Sequence, residues 1–312
     1  MILLMVGIAC ARPTPVITPP VAAPPSAPSG MAPQTPSPMR ETVRAHQRLD
    51  TATRVGERVP LALDLPRPVA LFIPPALLGD VTLLVHFHGA AFVADEAALR
   101  APSPTVAVAI TTGSGSSAYE RPFADGARFD SLLAQVDRAL AVRRLTRTRV
   151  VVSGWSAGYG AIRALLRDAR QRDRLDGVLL LDGLHASYQP AGVPLANGGA
   201  VDTMDLLPFI DLARRAVRGE RRFVIAHSEV FPGTYASTTE CSAVVAASVR
   251  DVAGRVPTMR PLLAWGPLGM QQLGALHAGR FEVRAFAGNS APDHVDHLHA
   301  LPFLLPLLYE TP

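Results

Sequence analysis

From about residue 41 onward, short β-branched runs alternate with segments of helical apolar spacing, and this alternation predicts an α/β fold: a mostly parallel sheet with helices on both faces. About eight strands are expected, over 61–65, 70–73, 82–87, 105–110, 149–153, 177–181, 222–226 and 281–286. The first two flank Pro66 and Pro68 and predict an antiparallel hairpin at the sheet edge. Helices are predicted where Phe129, Leu132, Leu133, Val136 and Leu140 recur at helical spacing, and again at Ile162, Leu165 and Leu166. Two segments, 183–202 and 254–279, are rich in Gly and Pro and poorly periodic, so they are expected to be loops or cap elements over a site.

The first 40 residues break this pattern. An apolar run over 1–9 ends at Cys10, and ten prolines then fall between Pro13 and Pro38. Ile8, Ala9 and Cys10 resemble the end of a bacterial lipoprotein signal, which implies a lipid anchor on Cys10 and a place in the bacterial cell envelope, lipid-anchored or secreted. The other reading is a disordered terminus with an unrelated cysteine. Residues 11–40 are expected to form an extended, disordered spacer ahead of a single domain over 41–312.

Composition narrows the chemistry. All 30 basic residues are arginine, so a lysine-dependent phosphate loop, a Schiff base and a Ser-Lys dyad are excluded. The arginines are scattered over a chain of net charge +4, which points to solvated helix faces rather than a nucleic-acid surface. Cys10 and Cys241 are too few for a disulfide framework or a cysteine zinc site, and Cys241 begins an apolar stretch in which a buried small residue is expected.

The chemistry concentrates at strand ends. An apolar strand runs into Gly154-Trp155-Ser156-Ala157-Gly158 and then a helix, which is the GxSxG elbow in the context it requires. Upstream, the 82–87 strand ends in His86-Phe87-His88-Gly89-Ala90-Ala91. Downstream, the last predicted strand leads into a loop holding Asp293, His294, Asp296, His297 and His299. In this order these motifs resemble the α/β-hydrolase superfamily, over nearly all of residues 56–310.

The resemblance implies a serine esterase or lipase-like hydrolase without a cofactor, acting on a small-molecule ester or related acyl compound. Ser156 would be the nucleophile, with the N–H groups of Ala157 and Ala90 (or neighbouring Ala91) as the oxyanion hole and His88 supporting that loop. His294 is preferred as the base because it lies nearest the loop, with His297 as the alternative and His299 as a helix-face residue. Asp182, at the end of the 177–181 strand, is preferred as the acid, with Glu229 after the next strand as the alternative. Two other readings stay open. One is a metal-dependent hydrolase using His86 and His88 with His294 and His297. The other is a catalytically silent binding module of the same fold.

Overall fold

The structure is a computed structural model that describes residues 46–309; Cys10, the signal-like segment and the proline-rich stretch lie outside the described residues. In chain order the strands are β1 (Glu57–Leu61), β2 (Val69–Ile73), β3 (Gly79–Phe87), β4 (Thr105–Ile110), β5 (Leu145–Trp155), β6 (Gly177–Leu181), β7 (Tyr188–Gln189), β8 (Ala200–Val201), β9 (Arg222–His227), β10 (Arg260–Trp265), β11 (Gln271–Ala278) and β12 (Phe281–Phe286). The α-helices are α1 (Ala91–Arg100), α2 (Ser116–Phe123), α3 (Ala127–Ala141), α4 (Tyr159–Arg167), α5 (Ala169–Arg172), α6 (Leu207–Val217), α7 (Thr238–Ala247), α8 (Arg250–Ala253), α9 (Ala291–His299) and α10 (Leu301–Leu304).

Among the described residues, ten strands make one sheet in the order β1-β2-β4-β3-β5-β6-β9-β12-β11-β10, while β7 and β8 form a separate ribbon. The run from β4 to β12 is parallel, and two antiparallel strands flank it on each side. Alternation along each central strand feeds two apolar layers. Leu83, Val85 and Phe87 face the side covered by α2, α3, α4 and α6, whereas Leu84 joins Val93 of α1 and Leu301 of α10 on the other. Both faces are therefore dry, which is why these strands read as continuous apolar runs rather than as alternation.

Three expectations are corrected. The first strand lies at Glu57–Leu61 rather than 61–65, because its outer half is polar and Leu63 and Leu65 fold into tight turns, their N–H groups donating to the carbonyls of Leu61 and Leu63. It still pairs antiparallel with β2, with Pro60 on an edge strand that needs no N–H there. Segment 254–279 is not a loop, and the sheet has ten strands rather than about eight. β10 and β11 extend it beyond β12, each pairing broken by a register shift near Pro261 or Gly274. Those residues interrupt the period-2 pattern that would have announced the strands.

The helical layer over the first face should be the stability reserve. Phe129 of α3 is fully buried, and Phe129→Ala is expected to lower unfolding stability by about 3–5 kcal/mol, read from the shift of the urea midpoint at constant slope.

Candidate active site

Strand register brings the chemistry together. Trp155 is paired with Leu181, and Leu181 with Ala226, so the residues that leave β5, β6 and β9 emerge side by side at the carboxyl edge. The residues that follow β3, β5 and β6 bend sharply: His88 (φ 70°), Ser156 (φ 48°) and Asp182 (φ 45°) all adopt left-handed backbone. Non-glycine residues in that region cost of order 1–3 kcal/mol each and cluster where function holds them. The crowding also explains two glycines. A Cβ on Gly158 would lie 2.1 Å from the Phe87 carbonyl oxygen, and one on Gly183 would lie 2.3 Å from that of Ser156.

Asp182 is 3% exposed, yet its carboxylate is fully engaged. Its Oδ2 accepts from the Ser228 hydroxyl and from Nδ1–H of His294, both at 2.7 Å, and its Oδ1 accepts from the Ser228 N–H at 3.0 Å. Burial by itself would push this carboxyl up. The neighbouring His297 and His294 imidazoles and the Ser228 hydroxyl outweigh it and hold the group well below the usual carboxylate range. His294 reaches it from the first turn of α9, a helix started by a capping box. The Ser290 hydroxyl accepts from the Asp293 N–H, and the Asp293 carboxylate accepts from the Ser290 N–H, with a proline in that first turn.

The second nitrogen of His294, Nε2, is buried and without a hydrogen-bond partner in the structure. His294 and Ser156 line the same cleft, but their hydrogen bond is not formed, as is common before substrate tightens a site. Trp155, the residue before Ser156, fixes the other side of this histidine. Its indole N–H donates to the His294 carbonyl at 2.8 Å, and its ring lies 4.8 Å from the imidazole. Trp155 is also stacked on His88, again at 4.8 Å. His88 in turn donates to the Tyr119 hydroxyl, which donates to the Gly113 carbonyl. Burial pulls His88 down to about 4, with the nearby His294 adding to the effect, and burial takes His86 to about 3, so both rings are neutral near pH 7.

The cleft wall comes from segments 182–188 and 232–240. They zip together: Nδ1–H of His185 donates to the Ala236 carbonyl, the Ala236 N–H to the Ala186 carbonyl, and the Tyr188 hydroxyl to Glu240. His185 packs edge-on against both Tyr159 and Tyr235. With the 114–117 turn on the facing side, they enclose about 360 Å³.

Other sequence-predicted residues fall elsewhere. Ala157 lines the cleft, while exposed Ala90 caps α1 and, with Ala91, lies outside the lining. His297 is fully buried, donates to the Asp293 carbonyl and packs on Phe286. Glu229 is bonded to the Gly288 backbone rather than to a histidine. His299 accepts from the Leu49 N–H. His86 is bonded to Ser153. The histidines at 86, 88, 294 and 297 do not converge on one point. Among the described residues, the group close enough to share a cation is instead His46, Asp293 and Asp296. There the Asp296 carboxylate already accepts from Arg48 and is bonded to His46. Cys241 is buried. Sequence reading missed Ser228 and Trp155 as partners of the triad-like cluster, and the 114–117 turn as part of its wall.

No protein-family model matches the chain, and no curated protein does. Solved structures do. Carboxyl esterase 2 from the fungus Tuber melanosporum is 12% identical, with a TM-score of 0.44 over 83% of this chain and 88% of that one. An esterase from Pyrobaculum calidifontis is 11% identical, with a TM-score of 0.46 over 83% and 87%. The S-formylglutathione hydrolase of Staphylococcus aureus is 12% identical, with a TM-score of 0.43 over 84% and 100%.

The depressed Asp182 carboxyl links stability to pH. Because its folded value lies below the unfolded one, near 3.9, its contribution is complete above that value and is lost as pH falls through the unfolded and toward the folded one. Asp182→Asn should therefore lose urea stability less steeply than the wild type between about pH 5 and pH 2.5. Equal slopes would show that Asp182 does not carry this linkage.

Proposed function

We propose that the protein is a serine hydrolase that cleaves a carboxylic ester through an acyl-enzyme on Ser156. The observation that carries this reading is the Asp182–His294 pair. It occupies Nδ1 of the imidazole and leaves a buried, unpartnered Nε2 in the cleft that Ser156 lines. In this reading Ser156 Oγ attacks the acyl carbon while Nε2 takes its proton, and the ionised Asp182 stabilises the imidazolium. The Trp155 ring, already against the imidazole, favours the same cation through its π face. His294 then returns the proton to the leaving alcohol. Water repeats the sequence on the acyl-enzyme, releasing the acid. The Ala157 N–H, in the turn that opens α4, faces the developing oxyanion, and the Ala90 N–H is the proposed second donor.

A fluorophosphonate should modify Ser156, located by mass spectrometry, and Ser156→Ala should abolish both adduct and esterase activity. A folded protein that gives no adduct would sink the reading and turn attention to a binding role. His294→Ala should lower kcat by at least about 1000-fold, with a much smaller effect from His297→Ala; the reverse order would make His297 the base. Ala90→Pro tests the second donor, since Ala90 sits at φ −80°, which proline tolerates. Loss of its N–H should cost about 100-fold in kcat, and an unchanged kcat would place the donor elsewhere.

A further inference from the structure

The cleft beside Ser156 is small and carries few aliphatic side chains. Small-molecule pockets are ordinarily walled by hydrophobic and aromatic side chains with a few polar groups among them. Here the aliphatic side chains on the wall are limited to Ala157, Ala186, Val230 and Pro232, around about 360 Å³. Tyr159 and Tyr235 supply aromatic surface beside them, but a long acyl chain would find little aliphatic surface to pack on and little room, and so would forgo much of the gain that each buried methylene brings.

Hydrogen-bonding groups stand among these aromatic and small apolar side chains. Ser114, Ser117 and Tyr235 line the cleft, and among the described residues their hydroxyls have no hydrogen-bond partner in the protein. Burial pushes the Tyr235 phenol up to about 12, so it stays a donor. His185 spends Nδ1–H on the Ala236 carbonyl, which leaves Nε2 as an acceptor, and burial takes it to about 4, so it is neutral. Arg163 also lines the cleft, but it is paired with Glu120 at 2.5 Å and Asp205 at 3.2 Å, and Arg167 bridges the same two carboxylates. The wall thus offers neutral donors and acceptors around a balanced charge network, a pattern that matches hydroxyl groups rather than an alkyl chain or a free anion.

We propose that the substrate is an ester of a short carboxylic acid with a sugar hydroxyl, with the polyhydroxylated ring seated against Tyr235, His185 and the Ser114–Ser117 turn. This rests on the serine-hydrolase reading above. In the reaction the bond between acyl carbon and sugar oxygen breaks as the Ser156 Oγ–acyl bond forms. The serine proton passes through His294 to the departing sugar oxygen, and water then converts the acyl-enzyme to the free acid and regenerates Ser156.

The test compares two acetates of primary alcohols on six-membered rings, methyl 6-O-acetyl-glucopyranoside and cyclohexylmethyl acetate, with the full-length protein. The sugar ester should be preferred in kcat/KM by at least about tenfold, because a site built to bind hydroxyls leaves its own groups unpaired around the hydrocarbon. Tyr235→Phe and Ser117→Ala should each reduce that ratio several-fold, and taking the ratio within each variant cancels any general loss of activity. Fluorophosphonate labelling runs in parallel. If Ser156 is labelled but cyclohexylmethyl acetate is cleaved equally well or better, the sugar assignment falls and the hydrolase reading stands. If Ser156 is not labelled, both fall.

Discussion

The arrangement depends on one buried negative charge. An ionised carboxylate at 3% exposure is tolerable only when every lone pair that faces protein is answered, and Asp182 is answered by two groups of Ser228 and one of His294. These contacts join the ends of β6 and β9 to a helix 112 residues further along the chain. Removing a partner would leave part of that buried charge unanswered. The same contacts decide which nitrogen of His294 is left for chemistry, so a requirement of folding and a requirement of the proposed reaction fall on the same atoms.

Around this charge the neighbouring histidines are kept quiet. Burial holds His86, His88 and His185 neutral at ordinary pH, so they supply hydrogen bonds and ring faces without adding charge. His88 acts through stacking, transmitting the Tyr119 anchor to Trp155 and from there to His294. His185 acts through the wall, where it ties segment 182–188 to segment 232–240. The left-handed backbone at His88, Ser156 and Asp182 is strain stored at three adjacent strand ends, held by the packing of Gly158 on Phe87 and of Gly183 on Ser156.

What was legible in the sequence was whatever depends on local pattern. The runs at 82–87, 105–110, 177–181, 222–226 and 281–286 are rich in apolar and β-branched residues, and each lies within a strand of the central parallel sheet. The 149–153 run is part of the longer β5, which also takes in Gly154 and Trp155. The edges were less legible, because burial imposes no strict pattern there. β1 is largely exposed and β10 almost wholly so, and with Pro60, Pro261 and Gly274 in or beside them they carried no periodic signal.

The sequence by itself determined the mostly parallel α/β architecture, the strand-to-helix turn at Ser156 and the small set of carboxylates and imidazoles able to meet there. Each is a property of a short window, where side-chain period and turn chemistry act on neighbouring residues. The tertiary structure alone decided that Asp182 pairs with His294 while Glu229 binds the Gly288 backbone, and that His297 turns into its own helix. It alone brought Ser228, Trp155, His185 and Tyr235 to the site. Those choices turn on distances between strand ends set by sheet register, and register is a cooperative outcome of the whole sheet that no local window contains.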